Sequence, residues 1–284
     1  MSQNGIPLRV RLWGTRGTVT PSMPSTVFGV HTTALEFLVP GKPSIFIDLG
    51  TGAIPASQRS VLNGRRDFSV FMSHYHLDHM FGATGFAPFY DPSCTVRIYG
   101  AGKSLSEAFR TVFGGPIFPV SFDSLPAEIV LERIPFRGRR LFPAHGLTLS
   151  WGAVPHPQGC TAYRLDDGVN AVVFATDVEL ELAEGNRDLA GLLSEPYPAG
   201  LAIVDGFFKD RSEDYHEGWG HSTWRQAWDW CERHGVESLA VTHHNPRYSD
   251  SELLSLESSA GLPNVVWARD SQTWSLYSNH AVCD

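Results

Sequence analysis

Cysteine is scarce in this 284-residue chain: Cys94, Cys160, Cys231 and Cys283 are its four thiols, and no two form a CxxC pair. Their wide spacing excludes a disulfide scaffold and a cysteine-ligated zinc knuckle, and all four read as reduced, structural thiols. Long apolar runs are missing too. Nothing approaches the roughly 20 consecutive apolar residues that span a bilayer. The opening residues, MSQNGIPLRVRLWG, lack the charged-then-apolar pattern of a secretory signal. A soluble cytoplasmic protein, with no membrane partner, is therefore expected. Positive charge is short: 22 Lys and Arg stand against 30 Asp and Glu, a formal net charge of −8. Long nucleic acid is gripped through many Lys and Arg contacts to phosphate, so it is not the expected partner. A small anionic substrate stays open, because bound cations would dominate the local field. No low-complexity or linker-like stretch interrupts the chain, and a hydrophobic content of 42% supports a large core. A single domain over residues 1–284 is expected.

Metal-binding side chains are concentrated in one place. Ser73-His74-Tyr75-His76-Leu77-Asp78-His79 forms an HxHxDH run, in which four of the six positions from His74 carry good ligands. Imidazoles and carboxylates are costly to bury without partners, so packing does not explain such a density. His74 and His76 lie two apart and project to the same side of an extended segment. Asp78 and His79, after a turn, would face elsewhere and suit a second metal. Two metals about 3.5–4 Å apart need a bridging carboxylate and generate a bound hydroxide at neutral pH. Three later residues are candidate donors. His156 stands between Pro155 and Pro157 after a strand pattern, Asp177 follows the apolar run Val172–Thr176, and His243 follows Leu239–Thr242. Each alone is an ordinary loop residue; beside an HxHxDH run they become the missing ligands. Asp48, ahead of Leu49-Gly50-Thr51-Gly52, reads as an acid that orients ligands from behind. Histidine with carboxylate accommodates Zn, Mn or Fe.

The hydrophobic pattern places strands at Leu8–Trp13, Ala34–Val39, Ser44–Asp48, Asp67–Met72 and Thr95–Tyr99. The second and third form a hairpin around Pro40-Gly41-Lys42-Pro43. Helices are expected at Leu77–Ala87 and Lys103–Val112. Strands return at Ile129–Ile134, Leu147–Val154, Thr161–Leu165, Ala171–Ala175, Leu201–Val204 and Leu239–Thr242. Helices are expected over Leu180–Leu193, Thr223–Glu232 and Ser251–Ser259, and Val265–Trp267 with Thr273–Tyr277 closes the sheet. The order is strands then helices, twice, with the halves meeting near Pro135–Phe142. That predicts two sheets face to face with helices outside, an α/β domain of four layers.

These motifs resemble the metallo-β-lactamase-fold hydrolases, whose signature matches HxHxDH at His74–His79 and whose D-x-G element matches Asp48-Leu49-Gly50. The match is closer to the phosphodiesterase branch that includes ribonuclease Z and cyclic-nucleotide phosphodiesterase-like proteins. It rests on Trp13-Gly14-Thr15-Arg16-Gly17-Thr18, Phe118-Pro119-Val120, His156-Pro157-Gln158-Gly159, Gly218-Trp219-Gly220-His221-Ser222-Thr223 and Thr242-His243-His244-Asn245-Pro246-Arg247-Tyr248. The resemblance covers about Leu8 to Leu254. It implies an αββα sandwich holding two divalent metal ions, usually zinc. By motif position His74, His76 and His156 would hold one metal, and Asp78, His79 and His243 the other, with Asp177 bridging. His244 is the rival for the place of His243. His31 stands where relatives often carry Asn, and Val204-Asp205-Gly206-Phe207 departs from the family's wording.

The function expected is hydrolysis of a small nucleotide phosphodiester, with a 3',5'-cyclic nucleotide as one candidate, by attack of a metal-bridging hydroxide. The resemblance implies a His-acid relay to the leaving oxygen, for which His221 and Asp205 are the candidates, with Asp78 as a further catalytic acid. Arg16, His31, Phe118, Trp219 and His244 are the substrate-binding candidates. Trp219 reads either as packing or as a surface on which a base stacks. The segment Gly114–Phe122 reads as an ordinary connection or as an apolar lid. His145, His216, His234 and His280 read as packing or surface residues. The alternatives are a ribonuclease Z-like RNA endonuclease, an ester, lactone or lactam hydrolase on the same fold, and a non-catalytic binding module. The first normally carries a basic, glycine-rich RNA-gripping arm, which this sequence lacks. Dimers are common in the resembled group, which leaves a homodimer open.

Overall fold

Apolar runs covered on both faces determine how this chain layers. The computed structural model describes residues 7–21, 24–39, 41–184, 186–212 and 215–284. Six strands begin the first sheet: β1 (Leu8–Gly14), β2 (Ala34–Leu38), β3 (Ser44–Ile47), β4 (Asp67–Met72), β5 (Thr95–Ala101) and β6 (Glu128–Ile134). Seven more form the second: β7 (Gly138–Phe142), β8 (Leu147–Val154), β9 (Cys160–Asp166), β10 (Ala171–Ala175), β11 (Leu201–Asp205), β12 (Leu239–Thr242) and β13 (Val265–Trp267). The last two strands, β14 (Gln272–Tyr277) and β15 (His280–Cys283), return to the first sheet. The sheet orders are β15-β14-β1-β2-β3-β4-β5-β6 and β13-β12-β11-β10-β9-β8-β7.

Alternation along each strand assigns its side chains to two different cores. In β3, Ile45 and Ile47 face the space between the sheets, whereas Phe46 faces outward into a second core. In β10, Val172 and Phe174 point between the sheets, and Ala171, Val173 and Ala175 point outward. Helices cover these outer faces. Ala53 and Ala56 of α1 (Ala53–Leu62) and Leu105 and Phe109 of α3 (Leu105–Val112) pack on the first sheet. Residues of α4 (Arg187–Ser194), α5 (Trp224–Arg233) and α6 (Asp250–Ala260) pack on the second. The short α2 (Leu77–Met80) carries the end of the HxHxDH run. Four layers result, as the two-sheet expectation required. Among the described residues no helix is long and apolar enough to cross a membrane.

The chain departs from its expected elements at a few places, each with a local reason. Strand β7 was not foreseen, because Arg139, Arg140 and Leu141 of this edge strand are exposed and show no apolar alternation. β15 is likewise a largely exposed edge strand. α4 begins at Arg187 rather than Leu180, since the Asn186 side chain accepts from Asp188 N and Leu189 N and caps the helix there. The expected helix behind the HxHxDH run is only α2 followed by 3₁₀ turns over Phe81–Gly85 and Ala87–Tyr90. β2 and β3 do pair antiparallel, Leu35 opposite Ile47; Pro40 of the expected turn lies outside the described residues. The two halves are not closed units. β14 pairs with β1, Trp274 opposite Val10, so the C-terminal hairpin crosses from the second half to the first sheet.

The sheets are locked together by an aromatic cluster. Phe71 of β4 stacks on Tyr99 of β5 at 4.6 Å and meets Phe142 and Tyr163 of the second sheet edge-on at 5.3 and 5.8 Å. Phe71 is one residue from the end of the strand that delivers His74. Phe71→Ala is expected to cost about 3–5 kcal/mol of stability, read by denaturant unfolding. A loss below about 1 kcal/mol, the range of a well-tolerated swap, would show that the intersheet contact carries little.

Candidate metal centre

The candidate ligands gather along one edge of the sandwich because their strands point the same way. β3, β4 and β5 are parallel, as are β10, β11 and β12. β8 and β10 both run antiparallel to β9, so they share a direction. Asp48, the HxHxDH run, His156, Asp177, Asp205 and His243 thus all lie at C-terminal strand ends. Three of them, Asp48, Asp177 and His243, have φ of 60°, 56° and 59°, a left-handed conformation that non-glycine residues seldom adopt. Each such residue costs on the order of 1–3 kcal/mol and persists only where its surroundings over-determine it. The turn swings each side chain out of its strand and towards a common centre.

Asp205, His221 and His243 form a three-donor group beside two four-donor groups, each with its ligand atoms within 4.8 Å of one another: His74, His76, His156 and Asp177, and Asp78, His79, Asp177 and His243. Asp177 belongs to both, and its two oxygens divide between them. Oδ1 lies 3.8 Å from His74 Nε2 and 3.7 Å from His156 Nε2, while Oδ2 lies 3.0 Å from His79 Nε2 and 3.2 Å from His243 Nε2. Asp78 Oδ2 is 3.1 Å from His243 Nε2 and accepts from Thr18 N at 2.8 Å.

Hydrogen bonds behind the rings set their orientation. His79 Nδ1 donates to Asp48 Oδ2 at 2.7 Å, His74 Nδ1 to Ser73 Oγ at 3.0 Å, and His156 Nδ1 to Gly220 O at 2.9 Å. Asp48 also accepts from Ser73 N and Ser73 Oγ at 2.7 and 2.6 Å. Each ring so fixed presents Nε2 to the centre, the arrangement by which second partners orient metal-binding histidines. His76 instead turns Nδ1 to within 3.1 Å of His156 Nε2. His74 Nε2 and Asp177 Oδ2 are buried with no hydrogen-bond partner. Orphaned donors facing a shared centre are what divalent cations would satisfy, so the residues fit a pair of metal ions.

The electrostatics follow from crowding. Burial drives His74 well below the ordinary histidine range, reinforced by His79. Burial also opposes charge on His79, but Asp177, Asp78 and Asp48 outweigh it and hold this imidazole well above that range. Burial alone would raise the Asp177 carboxyl; His243, His79 and His74 reverse this and hold it well below the usual carboxylate range. The site is thus built around negative charge that needs positive charge beside it.

His221 and Asp205 form a pair next to these groups. His221 Nδ1 donates to Asp205 Oδ2 at 2.9 Å, and Asp205 Oδ1 accepts from Ser222 N and Phe207 N, both at 3.0 Å. Phe207 stacks on the His221 ring at 4.5 Å. A cavity of about 390 Å³ opens from His221 and is lined by Thr18, Val19, Phe208, His216, Trp219 and Arg247, among others. Trp219 is 52% exposed and stacks on His216 at 4.2 Å, a surface packing contact for that histidine.

The other substrate-binding candidates are placed elsewhere. Arg16 is fully buried, and its guanidinium donates to Gly29 O, Tyr248 O, Ser25 Oγ and Asp250 Oδ1. It ties loops together beneath the cavity; the glycine-rich loop reaches the cavity through Thr18 and Val19. Gly17 serves this loop directly, since a Cβ there would stand 2.4 Å from the His243 ring. His244 is also fully buried; its Nε2 donates to Ala268 O at 2.8 Å, and burial pushes its pKa down to about 3. Its ring lies in neither donor group, so between the two rivals it is His243 that faces the centre. His31 lies near Thr51 Oγ1 at 3.4 Å, and Phe118 packs on Phe113 at 5.5 Å; neither lines the cavity. Phe207 and His216 were missed because nothing in their local sequence distinguishes them from packing residues.

Residues 45–244 match the family described as the beta-lactamase superfamily domain. A curated relative, ribonuclease Z of Bradyrhizobium diazoefficiens, is 27% identical over 266 residues, spanning 80% of this chain and 88% of its own. Among solved structures, the metallo-beta-lactamase fold protein YhfI from Bacillus subtilis aligns with a TM-score of 0.69 at 18% identity, covering 95% of this chain and 99% of that one. Unliganded yeast PDE1 aligns at 0.67 and 14% identity, covering 94% and 99%. At these identities the structural likeness is one of fold.

Asp177 is the test of the shared-donor geometry. Asp177→Ala is expected to lower bound zinc from two ions per chain to one or none, measured by elemental analysis of protein refolded with excess zinc. Retention of two ions would contradict the bridging position.

Proposed function

The chain belongs to the beta-lactamase superfamily, and from that premise we propose that it is a dinuclear-metal phosphodiesterase acting on a small nucleotide, with 1–284 working as one hydrolase domain. The observation that carries the reading is the His221–Asp205 pair at 2.9 Å, set between the donor groups and the cavity. An imidazole backed by a carboxylate is what a poor alkoxide leaving group requires.

His74, His76 and His156 would hold one metal, Asp78, His79 and His243 the other, and Asp177 both. Two divalent cations held there, zinc first and Mn or Fe by the same ligand set, would supply activation of water and offset charge on the phosphoryl oxygens. The protein's own residues do the rest. Asp205 holds the His221 ring through Nδ1 and leaves Nε2 towards the cavity, where it donates a proton to the departing oxygen. Burial works against a charged His221, yet Asp205 outweighs it and raises the imidazole to about 9. Phe207 keeps the ring from swinging away. Trp219 offers an exposed indole face on which a base stacks, while His216 supports its other side.

The cavity volume, near the lower end of the roughly 300–1,000 Å³ of small-molecule sites, suits one nucleotide. A 3',5'-cyclic nucleotide is the substrate proposed first. RNA endonuclease activity is the second reading, favoured by the ribonuclease Z relative. The chain's net charge of −8 weighs against it. A panel of cyclic mononucleotides, linear dinucleotides, pre-tRNA and lactones, assayed with the zinc-loaded protein, separates these readings; cleavage of lactones alone would sink the phosphodiesterase.

His221→Ala is expected to lower kcat on a nucleotide diester by about 10²–10⁴-fold, the usual contribution of a positioned acid, with metal content unchanged. The loss should be far smaller on bis(p-nitrophenyl) phosphate, whose acidic leaving group needs no proton. Because the protonated form is the active one, wild-type kcat should fall as pH rises through the His221 pKa. The alanine variant should lose that limb. Equal losses on both substrates would remove the proton donor from the mechanism.

A further inference from the structure

Glu179 belongs to neither donor group, yet it is 2% exposed and stands two residues after Asp177. Its carboxylate is fully committed. Oε1 accepts from Gly218 N at 2.9 Å and Oε2 from Gly220 N at 3.0 Å. Its own backbone N–H donates to Pro155 O at 2.9 Å, beside His156. One residue therefore joins three segments: the strand end that carries Asp177, the turn that carries His156, and the turn that carries Trp219 and His221.

The Gly218–His221 turn depends on such an anchor. Gly218 and Gly220 have φ of 83° and 82°, left-handed values that no side chain of the turn itself enforces. Alternate turn N–H groups, those of Gly218 and Gly220, converge on the Glu179 carboxylate, while Trp219 N between them donates to His216 O. Gly220 also has no room for a Cβ, which would stand 2.1 Å from His156 Nδ1. That closeness lets Gly220 O receive the His156 Nδ1 proton at 2.9 Å. The next residue is His221, whose ring lies 5.5 Å from that of His156.

We propose that Glu179 is a positioning residue for both halves of the site. By holding the Gly218–His221 turn, it sets Gly220 O against His156, fixing that ring with Nε2 towards the centre, and it sets His221 over the cavity. The part concerning His221 rests on the phosphodiesterase reading; the part concerning His156 does not. Both oxygens accept from N–H groups, so an amide of the same shape is a poor substitute, since its NH₂ would face a donor.

The test is Glu179→Gln in the full chain, with Glu179→Asp, which keeps the charge but withdraws it by one methylene. Zinc affinity, read by chelator competition, should fall about 10–100-fold in both, the usual effect of losing a partner behind a metal ligand. At saturating zinc, kcat on the nucleotide diester should fall more than kcat on bis(p-nitrophenyl) phosphate, because His221 is displaced. A generally loosened fold would not produce that leaving-group dependence. Wild-type zinc affinity together with wild-type leaving-group dependence, in whichever variant folds, would overturn the proposal. If the wild-type protein cleaves no phosphodiester, the function reading fails, and the zinc measurement alone still decides the role at His156.

Discussion

A carboxylate with no access to solvent cannot keep its charge unless positive charge lies beside it, and Asp177 is such a group at the centre of this molecule. It is 2% exposed, and four imidazole nitrogens lie 3.0–3.8 Å from its two oxygens. The demand is collective. Asp177 and two further carboxylates draw the His79 pKa upward, while burial and His79 push that of His74 downward. His74 Nε2 is left buried with no hydrogen-bond partner. A cation on each side of Asp177 meets the whole demand at once, which is why the geometry reads as a metal centre and not as a buried ion-pair network.

The fold can be understood as the frame that makes this arrangement affordable. Left-handed conformations at Asp48, Asp177 and His243 are unfavourable locally, and each is pinned by backbone bonds from elsewhere. Asp48 N donates to Phe71 O at 3.0 Å, Asp177 N to Asp205 Oδ2 at 3.1 Å, and His244 N to Thr15 O at 2.8 Å. The first two ties run from one strand end to its neighbour, and the third joins the loop after β12 to the loop after β1 on the other sheet. Because β10, β11 and β12 are parallel, a shift of any one would move the donor it carries relative to the next. Packing of the intersheet core then fixes the distance between the HxHxDH run on the first sheet and the ligands on the second.

Much of this was legible in the sequence, and the reason is specific. A donor that directly follows a strongly apolar strand pattern has its position set by the strand, so the recurrence of His156, Asp177 and His243 at strand ends, beside the HxHxDH run, could be read as a ligand set. Layer number was legible for the same reason, since runs such as Val172–Ala175 are covered on both faces. What was not legible is the direction in which a loop side chain points. Arg16 and His244 look like pocket residues because they sit inside motifs, yet both are fully buried and spend their polar atoms on loop carbonyls and side chains. His216 is exposed, as its sequence suggests, and also forms part of the cavity wall. Edge strands β7 and β15 escaped because periodicity reports burial, and an edge strand with exposed side chains has little of it.

That division of legibility also separates chemistry from specificity. The donors are held by strand ends and could hardly be moved without dismantling the sheets. The cavity is walled by loop residues, Thr18 and Val19 from one loop, His216 and Trp219 from a second and Arg247 from a third. Loops tolerate change in sequence that strands do not. Arg247 is exposed and carries no ion pair among the described residues, so it can meet a charged group on whatever enters. On the proposed function, a centre able to attack phosphodiesters could therefore be directed to one nucleotide by these loops alone. His221 is the point where the two systems meet: it touches the cavity, yet Asp205 of β11 holds it to the sheet. In the proposed mechanism its proton is useful only for a leaving group that the loops have placed within reach, so selection by the loops and chemistry by the sheets would act on the same oxygen.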